Sequence, residues 1–298
     1  MTPTFQYNTV NHPIIPTHGL RISLSAAVSG SVLGGNVNTL QPAVDVAYFR
    51  RGLFKGNVMG FHVNARFIAG YGGKVAPPYS RYYMGGEDDI RGFNIMTISP
   101  IAYIPTETTI DVLNNDGSPR VQRVVNSDGS ISTTPVVQTI PVYQLILPGG
   151  DTATVFNYEY RIPIVGPITL APFLDAGVDR LTLPNQLGLN EERVQQLDAI
   201  FPQANFSPRA VIAPGTQKPR VSVGLELQVL MPVVNAPFRV YWAYNLSYVN
   251  TILQPPVVAD RSYFPNEATY ESALAAFGEA VPYDEQRSLF RFSIGRTF

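Results

Sequence analysis

About nine stretches of the chain alternate apolar and polar residues with a period of two, the pattern of strands with two unlike faces. The first, residues 5–10, is short. Residues 20–30 place Leu20, Ile22, Leu24, Ala26 and Val28 on one face and Arg21, Ser23 and Ser25 on the other. Residues 39–50 carry Val44, Val46 and Tyr48 on one face. Residues 58–71 set Phe61, Val63, Ala65, Phe67 and Ala69 against His62, Asn64 and Arg66. Regularity returns at 154–162, where Phe156, Tyr158, Tyr160 and Ile162 alternate with Asn157, Glu159 and Arg161. Residues 168–178 oppose Leu170, Leu174, Ala176 and Val178 to Thr169, Phe173, Asp175 and Gly177. Residues 220–230 oppose Val221, Val223, Leu225, Leu227 and Val229 to Ser222, Gly224, Glu226 and Gln228. Residues 238–248 oppose Phe238, Val240, Trp242, Tyr244 and Leu246 to Arg239, Tyr241 and Asn245. In the closing stretch, 288–298, Phe290, Phe292, Ile294 and Phe298 share a face.

The connections alternate in length from residue 58 onward. They run long (72–151), short (165–167), long (181–218), short (233–237) and long (251–287). The first long one holds two Asp-Gly turns, Asp116-Gly117 and Asp128-Gly129, which predict small hairpins. The second holds one helical signal over 187–200, where Asn190 precedes Glu191-Glu192.

Composition narrows the class. Hydrophobic residues make up 45 % of the 298, but charged residues only 14 %, against about 25 % for a typical soluble domain. Acids (22) and bases (21) nearly cancel, so charge implies no nucleic-acid partner. The absence of cysteine excludes disulfides, thiolate catalysis and Cys-ligated zinc. No apolar run approaches the ~18 residues of a spanning helix, and the N-terminus carries no signal-peptide pattern. A soluble β-sandwich binding module and a transmembrane β-barrel remain. The polar faces are only modestly charged and poor in Lys, as suits a wet lumen with lipid outside, and the connection lengths repeat the short-turn, long-loop alternation of outer-membrane barrels. An open strand edge in lipid leaves backbone groups unpaired, and single-chain bacterial barrels have even strand numbers. An odd count therefore predicts that residues 1–298 form the C-terminal portion of a larger barrel, an all-β fold with 72–151, 181–218 and 251–287 as extracellular loops.

One stretch, residues 81–93, is more than a turn. Gly85-Gly86 is followed by Glu87-Asp88-Asp89 and then Arg91-Gly92-Phe93. The guanidinium can clamp a carboxylate through two hydrogen bonds; the plainer alternative is an acidic loop tip with a solvated Arg. His12, His18 and His62 lack metal-ligand spacing, so no metal is expected. No nucleophile elbow, phosphate loop or dinucleotide fingerprint occurs, so neither enzymatic activity nor a cofactor is expected.

The order of these pieces resembles the BamA-like outer-membrane assembly factors, the bacterial surface antigen family. Gly85-Gly86 with Ile90-Arg91-Gly92-Phe93 resembles the family's signature loop. Glu159-Tyr160-Arg161-Ile162-Pro163, Phe173-Leu174-Asp175-Ala176-Gly177 and the closing Phe292-Ser293-Ile294-Gly295-Arg296-Thr297-Phe298 fall in the family's order, as does the turn Pro16-Thr17-His18-Gly19. The resemblance implies roughly the last nine strands of a sixteen-stranded outer-membrane barrel. It implies that the loop folds back into the lumen and that Arg91 meets an acid on the wall, with Asp175 first, Glu159 second and Glu226 third in preference. Arg91 is then expected to matter more than Arg81. It also implies a C-terminal strand signal at Phe290, Phe292, Ile294 and Phe298, read by strand pairing at a lateral seam. The expected partners are outer-membrane lipid, unfolded outer-membrane protein clients, and periplasmic assembly lipoproteins reached through upstream repeats. A secretion pore or translocation-assembly paralogue, and a passive porin or surface adhesin, are the alternatives.

Overall fold

The computed structural model describes residues 1–30, 34–231 and 236–295. Four strands come first: β1 (Thr4–Asn8), β2 (Gly19–Ser29), β3 (Thr39–Arg51) and β4 (Val58–Phe67), followed by a two-residue extension, β5 (Ala69–Gly70). The first long connection holds β6 (Ala102–Asp111), β7 (Val121–Val125), β8 (Ile131–Pro135) and β9 (Val137–Ile146). Then come β10 (Thr152–Val165), β11 (Ile168–Arg180), helix α1 (Glu191–Ile200) and β12 (Val211–Ile212). The chain closes with β13 (Arg220–Met231), β14 (Ala236–Ser247), β15 (Asn250–Leu253), helix α2 (Glu267–Phe277), β16 (Val281–Asp284) and β17 (Ser288–Ile294).

Nine strands form one antiparallel sheet in the order β1-β2-β3-β4-β10-β11-β13-β14-β17, and β5 adds to β3. The nine alternating stretches of the sequence are these nine strands. The full-length crossings run from the 10 residues of β4 to the 14 of β10, against the ~9–11 that a tilted crossing needs. The sheet path ends at β1 and β17, which do not pair with each other among the described residues.

The faces are inverted relative to a water-soluble sandwich. Leu225 and Trp242 are each 50 % exposed and Phe290 is 68 % exposed, whereas Glu159, Asp175 and Glu226 are fully buried on the opposite face. A charged, enclosed inner face under an apolar outer one is barrel geometry. No helix among the described residues is long and apolar enough to cross a membrane.

Some expectations need correction. The strand expected over 58–71 is interrupted after Phe67 at Ile68, which is buried on the same inward face as His62 and bonds Asp151 O through its N–H, before β5 resumes the same register with β3. The 101–148 region is not merely small hairpins. Its arms β6 and β9 pair over ten residues each, and β12 joins them as a third strand. The two Asp-Gly turns do close the tips, as Gly117 N–H bonding Asn114 O and Gly129 N–H bonding Asn126 O show. Helix α2 stands where a plain loop was expected, with Asn266 accepting from Thr269 N at 2.9 Å as its cap. Phe298 lies outside the described residues.

The three long connections pack into one cap. Tyr103 and Tyr143 of the β6–β9 arm meet Val194 and Leu197 of α1 and Leu253 of β15. Ile140 and Val142 meet Phe264, just before α2, and Ala273 within it. The cap therefore has its own apolar core at one end of the sheet. The lipid-face reading predicts that Leu225→Arg costs about 2–4 kcal/mol near the bilayer midplane, while Asp128→Arg at a hairpin tip stays within about 0.5 kcal/mol. Urea unfolding in lipid vesicles measures both, and equal costs would contradict the assigned face.

Candidate functional site: the lumenal loop

Strand register assembles the site before any loop residue enters it. Asn157, Asp175, Ser222 and Asn245 lie directly opposite one another across β10, β11, β13 and β14. Their side chains all face the lumen, so they form one transverse polar row. The next row is Glu159, Phe173, Gly224 and Ala243. A third runs Ala171, Glu226, Tyr241 and Arg291, and ends on β17.

Residues 89–92 lie along the first row, and each of its four side chains holds their backbone. Asn157 Nδ2 donates to Asp89 O at 2.7 Å, and Arg91 N–H donates to Asp175 Oδ2 at 2.9 Å. Ser222 Oγ donates to Arg91 O, and Asn245 Nδ2 donates to Gly92 O at 2.8 Å. Gly92 has φ +101°, and a Cβ there would collide with Asn245 Oδ1. Glycine is therefore required both for the backbone angle and for the close approach.

The Arg91 side chain then crosses the second row. Its Nε and Nη2 each donate at 2.8 Å to Asp175, and its Nη1 reaches Glu159 at 2.6 Å and Glu226 at 3.1 Å. The guanidinium lies 3.7 Å above the Phe173 ring, a desolvated stack worth ~2 kcal/mol. Gly224 leaves space for that ring, since a Cβ there would stand 2.5 Å from Phe173 Cζ. Two further cations complete the balance. Arg161 Nε binds Glu159 at 2.8 Å, and Arg239 Nε binds Glu226 at 2.7 Å. Three acids thus face three guanidinium groups.

The expected residues come together with one addition: Arg91 holds all three acids at once, Asp175 through its backbone N–H, Nε and Nη2, Glu159 and Glu226 by sharing Nη1 at 2.6 and 3.1 Å. Gly85 and Gly86 shape the approach at φ +115° and +95°, and Phe93 packs with Met84, Ile90 and Ile98 beneath the loop. Phe290, Phe292 and Ile294 lie on the outer face of β17, away from the knot. Of the acids 87–89 only Asp88 is exposed. Asp89 binds Arg66 at 2.8 Å, and burial pushes its carboxyl above the usual range while Arg66 pulls it back. Arg81 is not free either; it donates to Ala76 O, Pro148 O and Gln186 O, and burial lowers its guanidinium below the ordinary value. Sequence reasoning placed Asn157, Ser222, Asn245, Arg161 and Arg239 on the polar face but gave them no role, because only the cross-strand register aligns them.

The Omp85 superfamily domain matches residues 1–298. The chain belongs to the Omp85 superfamily. Among solved structures, it is similar to BamA from Haemophilus ducreyi lacking POTRA domains 1–3, with a TM-score of 0.52 and 18 % identity. The match covers 98 % of this chain and 42 % of that one, so the chain spans less than half of the BamA it matches. As an Omp85 β-barrel, the chain is embedded in the bacterial outer membrane, and the apolar outer face described above is its lipid contact.

Removing the Arg91 cation strands three buried carboxylates with two partners. Arg91→Ala is expected to cost about 3–5 kcal/mol, the range for breaking a buried ion pair. Arg81→Ala, which removes only bonds to neutral carbonyls, is expected to cost less. Urea titration with limited proteolysis of residues 81–100 checks both, and equal losses would contradict the knot. Gly92→Ala is expected to unseat the loop with no change of charge; unchanged proteolysis of that variant would show that the wall tolerates a Cβ.

Proposed function

We propose that this Omp85 chain is the membrane-embedded part of a factor that assembles and inserts β-barrel proteins into the bacterial outer membrane. The observation that carries the reading is the loop locked into the lumenal wall by Arg91. A passive porin needs an open bore, whereas here residues 89–93 and their knot occupy it. The work left to such a barrel is done at its edge. Among the described residues β17 bonds β14 along one side, and in this reading its other side belongs to the lateral seam, where an incoming strand pairs through its backbone. No covalent chemistry is involved. The clients are unfolded outer-membrane proteins, and Phe290, Phe292 and Ile294 give the edge strand its lipid-facing signal. Periplasmic assembly lipoproteins would act through repeats upstream of this barrel. The capped, long-loop end faces the outside of the cell and the short turns face the periplasm.

Reconstitution tests the reading. Full-length protein in liposomes is expected to speed the folding of a urea-denatured barrel client, read by protease protection, and Arg91→Ala is expected to slow it several-fold. Free ion conductance with no acceleration would favour a passive pore. Polypeptide transport without insertion would favour a secretion pore.

A further inference from the structure

The short-turn end of the sheet carries a patch in which the lumenal knot has no part. On the outer face, Tyr48, Phe61 and Tyr158 lie opposite one another across β3, β4 and β10, with ring centroids 6.3 and 5.1 Å apart. A row of aromatic rings on a lipid face marks the level of the membrane interface. The next outer row toward the short turns is Arg50, Met59 and Tyr160, about 7 Å further along the strands. Beyond it the β3–β4 turn presents Leu53 and Phe54, 79 % and 72 % exposed, and the adjacent β10–β11 turn presents Ile164 and Val165.

The β3–β4 turn is firmly built. Gly52 N–H donates to Asn57 O at 2.7 Å, and Asn57 N–H donates to Phe54 O at 3.1 Å. The Tyr160 hydroxyl, on the strand next to β4, accepts from Leu53 N–H at 3.2 Å and from Asn57 Nδ2 at 3.0 Å. The two turns also touch, since a Cβ on Gly56 would stand 3.6 Å from Pro163 Cγ. Two large apolar side chains are thus held in the open at the end of the lipid face. Water disfavours that arrangement and a headgroup layer favours it.

Charge names the partner. Arg50, Arg51 and Lys55 are exposed and join no ion pair among the described residues, whereas the exposed Arg193 and Arg261 of the cap bind Glu107 and Glu267. The short connections 9–18, 52–57, 163–168 and 231–237 contain no Asp or Glu. Glu159 and Glu226, the nearest acids along β10 and β13, are buried and already paired. An acidic protein would have to cover Leu53 and Phe54 as well as the cations, and these apolar tips continue the lipid face. A phospholipid layer meets both needs, with apolar depth for the tips and phosphates for the guanidinium and ammonium groups.

We propose that residues 50–56 are a membrane foot that binds anionic phospholipid: Leu53 and Phe54 enter the headgroup layer, while Arg50, Arg51 and Lys55 hold lipid phosphates. Tyr160 is a positioning residue that fixes the turn at that depth. In the orientation given above, the foot stands in the periplasmic leaflet. The inference needs only the lipid face of the sheet, so it stands or falls apart from the assembly reading.

The full chain in vesicles of phosphatidylcholine and phosphatidylglycerol in equal parts tests it. Spin-labelled phosphatidylglycerol is expected to associate several-fold more tightly than spin-labelled phosphatidylcholine, and less so at high salt. The triple variant Arg50→Gln, Arg51→Gln, Lys55→Gln is expected to lose most of that preference, while Arg120→Gln with Arg123→Gln, on the cap hairpin, keeps it. Trp242 is the one Trp of the chain, so Phe54→Trp in a Trp242→Phe background gives a single probe of the turn. Brominated lipid is expected to quench that probe, and Tyr160→Phe is expected to weaken the quenching. A triple variant with its lipid preference intact overturns the phosphate contacts. A probe quenched by aqueous iodide and untouched by brominated lipid overturns the foot and favours an acidic protein at this turn.

Discussion

A fully buried guanidinium facing three fully buried carboxylates is the constraint on which the rest of this structure depends. An isolated charge of either sign could not be held there, because desolvation would outweigh any single partner. Arg91 alone leaves an excess of negative charge, and Arg161 and Arg239 remove it. Each acid touches two cations or accepts further hydrogen bonds, so deleting any member leaves a neighbour uncompensated. The groups come from β10, β11, β13, β14 and the loop. Their mutual satisfaction therefore fixes five chain segments at once. A buried network of this kind is weak evidence for net stability, since apolar packing often does as well. Its physical consequence is uniqueness: one register and one loop position satisfy it.

The apolar and small residues make that position possible. Phe173 provides a face for the guanidinium, and its ring fits because Gly224 opposite has no side chain. Gly92 lets the loop backbone touch the wall, where Ser222 and Asn245 take its carbonyls. The loop's own polar backbone would otherwise be buried without partners, a cost comparable to the ion pairs themselves. The transverse row of Asn157, Asp175, Ser222 and Asn245 thus does for an irregular segment what a neighbouring strand does for a regular one.

The strands were legible because a period of two with unlike faces has one structural meaning, and each of the nine alternating stretches carries it. The lumenal placement of Glu159, Asp175 and Glu226 followed from the same alternation. What alternation does not contain is register, since it assigns faces but not opposite neighbours. Hence Asn157, Ser222 and Asn245 were visible as inward polar residues but not as a row, and Arg91 could be ranked against three acids but not placed among all of them. Glu87 and Asp89 read as a solvated tip because acids in a row usually are; their partners Arg291 and Arg66 are distant in sequence. Helix α2 had its signals, an Asn cap and a following Gly278, but its Ala-rich body lacks strong polar–apolar periodicity. Its place is set by Ile140 and Val142 in another loop.

The knot is not centred on the sheet. It spans β10 to β14, and its neighbours on the two sides are held in different ways. Toward β1, one polar relay continues the row: His62 bridges Asn157 and Asp45 at 2.8 Å on each side. Beyond it Arg21 of β2 stands 3.7 Å from Asp45, and β1 is held to β2 by its backbone ladder. Toward β17 the side-chain contact is that of Arg291, which donates to Asn94 Oδ1 of the loop at 2.7 Å. Backbone ladders alone permit sliding and fraying at an edge, while a cross-linked polar row does not. The cross-linked row therefore pins the register of β4, β10, β11, β13 and β14 together.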